Sequence, residues 1–88
     1  MTEFTLKPVE EKTIRINYCD DSFVLPLQGS LTLEEANMLA TPEGTYIFMK
    51  KYIPEDIMKK LKLEEYNMVV RAYREASEQT SGQKLGEL

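Results

Sequence analysis

One part of this 88-residue chain, 13–27, alternates apolar and polar residues with period two on either side of a turn, and that part limits the fold to few choices. Ile14, Ile16 and Tyr18 fall on one side of an extended segment, with Arg15 and Asn17 on the other. Phe23, Leu25 and Leu27 repeat the pattern after Cys19-Asp20-Asp21-Ser22. Such alternation marks a half-buried strand. The short acidic and hydroxyl side chains between the two segments can bond nearby backbone groups and so favour a turn. Pro26 marks an edge or a strand end. The spacing predicts a β-hairpin over 13–27 with one apolar face. Two strands alone are marginal in water, so helices must cover that face.

Upstream, residues 1–11 mix Phe4, Leu6 and Val9 with acids and Pro8, as expected of a short edge strand or a loose arm. Downstream, Gln28-Gly29-Ser30 breaks the alternation, and Thr32-Leu33-Glu34-Glu35 has the form of a capping box, in which the Thr32 oxygen takes the Glu35 amide. A short helix is expected over about 33–40, with Leu33, Ala36, Leu39 and Ala40 inward. Thr41-Pro42-Glu43-Gly44 reads as its stop.

A second helix is expected over Thr45–Ile53. Positions 46, 47, 48, 49, 52 and 53 are all apolar and cover more than half the wheel, leaving Lys50 and Lys51 as the plainly polar residues. A helix that apolar is central to a core or shared with a neighbour. The β-branched and aromatic run TYIFM also admits a strand start. Pro54-Glu55-Asp56 suits the first turn of a third helix, about 54–61, with Ile57, Met58 and Leu61 inward. A final helix, about 63–79, gathers Leu63, Tyr66, Val69, Val70 and Tyr73 on one face, with Ala76 and Ser77 at its edges. Arg71–Glu75 and Arg74–Glu78 are i,i+4 pairs on its far side. The fold class is therefore α+β: an N-terminal β-hairpin packed on a C-terminal bundle of three to four helices. It forms a single domain over 1–82, with 83–88 a flexible tail.

Chemistry is hard to find in this composition. There is no histidine, hence neither the commonest neutral-pH base nor the commonest metal ligand. Cys19 is the lone cysteine, so no intramolecular disulfide, cysteine–histidine pair or metal-ligand spacing exists. The four glycines, at 29, 44, 82 and 86, are isolated and build no phosphate loop. Asp20/Asp21 and Glu34/Glu35 are explained by turn and cap. The expectation is a protein that is not an enzyme, with no cofactor and no metal. An acidic N-terminus without an apolar core implies no secretory signal, and no apolar run reaches the 18 residues of a membrane span. A cytosolic protein is expected.

Charge is unevenly placed. Residues 1–44 carry eight acids against three bases, and residues 45–88 carry eight bases against seven acids. This asymmetry allows head-to-tail self-attraction. Lys50, Lys51, Lys59, Lys60 and Lys62 form the one cationic concentration, the basis for an alternative reading as a small DNA-binding regulator. Interleaved Glu55, Asp56, Glu64 and Glu65 weigh against nucleic acid. Contact surfaces are better signalled. Tyr46, Ile47, Met49, Tyr52 and Ile53 crowd one short helix, while Met38 and Met68 fall off the apolar stripes of theirs. Adaptable thioethers and aromatic rings suit a partner. Tyr46, Ile47, Met49, Tyr52, Ile53 and Met68 are the candidate partner-binding residues, and the free edges of the hairpin are a second possible docking feature.

The order of these signals resembles a known family. FVLPLQGSLTLEEANML (23–39) leads to KYIPEDIMKKLKLEEYNMVVRAYREAS (51–77) and then SGQKLGEL (81–88). This is similar to the tail assembly chaperones of long-tailed bacteriophages, through Pro54, Glu55, Asp56, Leu63, Val70, Ala72, Tyr73, Ser81, Gly82, Gly86 and Glu87. The resemblance spans about 23–88, and the N-terminal hairpin departs from the mostly helical members. It implies a non-enzymatic protein of the bacterial host cytoplasm that coats the tape measure protein and hands it to the tail tube protein. It also implies self-association as a homo-oligomer, and a short, non-frameshifted form of the family's product. A third reading, an inhibitor protein binding a bacterial host target, fits the acidic N-terminal half.

Overall fold

The computed structural model describes residues 2–81 and joins an antiparallel two-stranded hairpin to four α-helices, an α+β fold. The expected Gly82 terminus and the tail over 83–88 lie outside the described residues. Strand β1 (Thr13–Tyr18) pairs with β2 (Asp21–Pro26) so that Ile14 lies opposite Leu25 and Ile16 opposite Phe23. This register puts all four side chains on one face, the geometry in which cross-strand apolar pairs stabilise a sheet. The loop is Cys19-Asp20 alone, and Cys19 takes a left-handed φ of 54°. That conformation costs a side chain with a Cβ roughly 1–2 kcal/mol.

After the hairpin a single 3-10 turn (Gln28–Ser30) leads into α1 (Leu33–Met38). Its cap forms as the sequence indicates: Thr32 Oγ1 accepts the Glu35 amide at 3.2 Å. The inward face does not. Leu33 is 86% exposed and Ala40 is exposed, whereas Leu39 is buried and Met38 half-buried against the core. Six residues make fewer than two turns, so α1 has no long stripe, and its position at the edge of the fold leaves the first turn in solvent.

The segment Thr41–Gly44 corrects the expected stop. It is the start of α2 (Pro42–Tyr52), with Pro42 in the first turn and Thr41 Oγ1 accepting the Gly44 amide at 3.0 Å. Proline there loses no hydrogen bond, because that amide has no intrahelical partner. Gly44 is needed for a different reason: a Cβ at this position would overlap the carbonyl oxygen of Met38. The glycine lets α2 turn back tightly against α1. Buried Thr45 locks the corner, its hydroxyl donating to the Thr41 carbonyl at 2.8 Å. The alternative strand over TYIFM is excluded; all five residues are helical.

Helix α3 (Glu55–Lys60) follows, with Pro54 at its cap, Ile57 buried and Met58 and Leu61 half-buried, as the spacing predicts. Helix α4 (Leu63–Ser81) is the longest element. Glu65 starts it by reaching back to accept the Lys62 amide at 2.7 Å. Its buried stripe is Val69, Tyr73 and Ser77, with Tyr66, Val70 and Ala76 half-buried. Relative to the sequence reading the stripe is rotated: Leu63 is 75% exposed, and Ser77 is buried, accepting the Gln28 amide at 3.1 Å.

The core joins the hairpin face (Phe23, Leu25, Leu27) to Phe48, Met49 and Ile53 of α2 and its end, to Ile57, and to Val69 and Tyr73. Leu25, Phe48 and Met49 are fully excluded from solvent. Tyr73 is the polar pin of this core. Its ring stacks at a tilt 5.8 Å from that of Phe48, and its hydroxyl donates to the Pro26 carbonyl at 2.7 Å. Among the described residues no helix is long and apolar enough to cross a membrane.

Candidate functional site

Helix α2 decides which of the candidate contact residues are open to solvent. Thr45, Phe48, Met49, Tyr52 and Ile53 recur at i, i+3, i+4, i+7 and i+8, the spacing of one helical face, and that face points into the core. Met49 and Ile53, two of the six candidates, are thereby corrected to core residues, at 0% and 2% exposure. Nothing in the local sequence separates them from Tyr46 and Ile47. The distinction is made by where the hairpin and α4 lie.

Tyr52 is half-buried and is held by a polar cluster. Its hydroxyl donates to Glu35 Oε2 at 2.6 Å, and Lys51 Nζ donates to the same oxygen at 2.8 Å. Hydrogen bonds from Lys51 and Tyr52 hold the Glu35 carboxyl below its ordinary range, and the same bond raises the Tyr52 hydroxyl. Tyr52 thus ties α2 to α1.

Tyr46 and Ile47 remain exposed, at 48% and 58%. The Tyr46 ring meets that of Tyr66 edge to face at 6.1 Å, and Lys50 Nζ lies 5.5 Å above its centre. The ring is fixed rather than free, the condition under which an aromatic anchor gives contact area at low entropic cost. Beside it opens a shallow groove of about 520 Å³ between α2 and α3, lined by Tyr46, Lys50, Ile53, Glu55, Met58 and Lys59. Its floor is apolar and its rim charged. On the other side of the Tyr46–Tyr66 contact a second depression of about 370 Å³ runs past Leu39, Thr41, Val70 and Arg74. Met68 is exposed, but it lies about 160° round α4 from Tyr66 and so away from this surface.

Met58, Lys50 and Lys59 belong to the groove; the sequence marks Met58 only as an inward residue of α3 and the two lysines only as part of the cationic concentration. The signal was present: Tyr46 and Lys50 are one turn apart, and Pro54 turns the chain so that the next helix brings Met58 alongside. Two of the five lysines of the cationic run lie against acids. Lys51 is paired with Glu35, and Lys59 lies 3.5 Å from Glu55. Among the described residues no group of three or more His, Cys, Asp or Glu side chains is placed to hold a metal ion. Cys19 is exposed at the hairpin tip.

Comparison with protein-family models, with curated proteins and with solved structures found no match.

Proposed function

We propose that this protein is a non-enzymatic interaction protein that acts as a phage tail assembly chaperone, holding the tape measure protein before the tail tube protein polymerises around it. The observation that carries the reading is the fixed aromatic surface of α2. Tyr46, backed by Tyr66 and flanked by Ile47, borders an apolar-floored groove with a charged rim. A long helical client presents apolar side chains at i, i+3, i+4 and i+7, and a shallow groove beside a rigid tyrosine suits such a stripe. The motif resemblance over 23–88 supplies the identity of the client. Action in the bacterial host cytoplasm is part of the same proposal.

Co-expression with the tape measure protein of the same phage tests it. The client is expected to stay soluble and to co-purify with the wild-type chain, and to aggregate with a Tyr46→Glu, Ile47→Glu variant. A client that is equally insoluble with and without the wild-type chain contradicts the proposal.

A further inference from the structure

The hairpin has an edge that the fold leaves open, and the chain carries a segment shaped to fill it. In the β1–β2 register every opposed pair sums to the same number, and Leu27 N donates to Lys12 O at 2.8 Å one step beyond the sheet. Hydrogen-bonded pairs alternate in an antiparallel ladder, so Lys12, Ile14, Ile16 and Tyr18 point their backbone groups at β2. Thr13, Arg15 and Asn17 point theirs outward. All three residues are exposed, and among the described residues none of their backbone groups bonds outside the ladder. On the same strand Ile14, Ile16 and Tyr18 are only half-buried, so the apolar face stops short at this edge.

The N-terminal arm, residues 2–12, has no regular structure, and its apolar side chains lie in solvent: Phe4, Leu6 and Val9 are 85, 78 and 71% exposed. Phe4 and Leu6 are two residues apart, the spacing of one strand face. Pro8 follows, where a strand must end for want of an amide. The arm is steered away from its own edge. Lys12 N donates to Ser30 Oγ at 2.7 Å, and the Ser30 hydroxyl in turn reaches the Glu10 carbonyl at 3.5 Å. These bonds lead the chain out along the 3-10 turn, on the β2 side.

We propose that the arm of a second copy of this chain adds antiparallel to β1 as a third strand, each copy lending its arm to the other. With Phe4 opposite Ile16 and Leu6 opposite Ile14, the apolar face widens by one strand. Glu3, Thr5 and Lys7 then fall opposite Asn17, Arg15 and Thr13, the three positions whose backbone groups are free. Glu3 lies diagonal to Arg15, within reach of an opposite-charge contact. Pro8 falls just past the last pair. A buried Phe contributes roughly 150–250 Å². Two exchanged arms, with Leu6 and the edges they cover, reach on the order of the 1,000 Å² that a specific interface needs. The proposal depends on no client.

Sedimentation and amide exchange of the full chain test it together. The wild-type chain is expected to dimerise as its concentration rises through the micromolar range, and deletion of residues 2–7 to give a folded monomer whose melting temperature no longer depends on concentration. Thr5→Pro removes one pairing amide while keeping Phe4 and Leu6, and it is expected to weaken the dimer at least tenfold. A peptide of residues 2–8 added to the deleted chain should slow exchange at Thr13, Arg15 and Asn17 and not at Ser22 or Val24. A wild-type chain that is monomeric throughout, or a dimer that survives the deletion, overturns the proposal. So does a dimer lost in Phe4→Asp but unmoved in Thr5→Pro, because that result means apolar contact without strand pairing.

Discussion

Helices α2 and α4 are both amphipathic, yet they divide their apolar residues in different ways. In α4 the charged residues Glu64, Arg71, Glu75 and Glu78 mark the outside, and the half of the wheel they leave contains Val69 and Tyr73, both buried. In α2 the charged residues are confined to Glu43 in the first turn and Lys50 and Lys51 in the last. The remaining apolar residues exceed what one face can bury, so packing selects Phe48, Met49 and Ile53 and leaves Tyr46 and Ile47 in solvent. An apolar surplus on a helix is itself informative. It indicates that some apolar residues must stay in solvent without indicating which they are.

The sharpest way to break this comparison is through two methionines that both stand among the candidate contact residues. Met49→Asp places a charge in the core beside Phe48 and is expected to unfold the domain, a loss of several kcal/mol. Met68→Asp, on the outward face of α4, should move stability by less than about 0.5 kcal/mol. Urea unfolding of the two variants reads both, and equal effects would mean that α2 and α4 are wrongly oriented.

Gly44→Ala is the next largest. Helix propensity alone predicts a gain of up to about 1 kcal/mol at this position. The overlap of the new Cβ with the Met38 carbonyl predicts a loss instead, of about 1–3 kcal/mol, because the α1–α2 corner must open. The sign of the change in urea midpoint decides between them.

Tyr73→Phe follows. It strands the buried Pro26 carbonyl, at a cost of about 1–3 kcal/mol. Burial raises the Tyr73 hydroxyl to about 12, against an ordinary value of 10.0. A group that holds its proton more tightly when folded contributes fully below pH 10. That contribution is lost as the pH climbs through 12, since the unfolded chain ionises first. The wild-type chain should therefore lose stability over pH 10–12, and Tyr73→Phe should show a shallower loss there, as followed by circular dichroism. The smallest effect is expected for Ile47→Ser, within about 0.5 kcal/mol in the same assay.

Much of this fold was legible in the sequence. The hairpin and its inward residues followed from alternation, the α1 cap from Thr32 and Glu35, and α3 and α4 from Pro54 and the 3.6-residue period. Three features were not. Proline and glycine at 42 and 44 have the same composition whether they end one helix or begin the next, and only the close approach to Met38 distinguishes the cases. Leu33 and Leu63 sit in first turns at the margins of the fold, where a wheel position has nothing to pack on. Ser77 joins the core through a hydrogen bond to Gln28, forty-nine residues away, which no local pattern encodes. The candidate surface was half legible: Tyr46 and Ile47 were singled out together with their core neighbours, and the groove formed with Met58 depends on how α3 folds back.

The central claim is that α2 separates a buried stripe from a contact surface, and one binding measurement tests it most directly. Tyr46→Glu, Ile47→Glu and the wild-type chain are compared for co-elution with the tape measure protein, with thermal unfolding recorded on the same samples. The account predicts that the variant melts like the wild type and no longer carries the client. A variant that retains the client with an unchanged melting curve would contradict it.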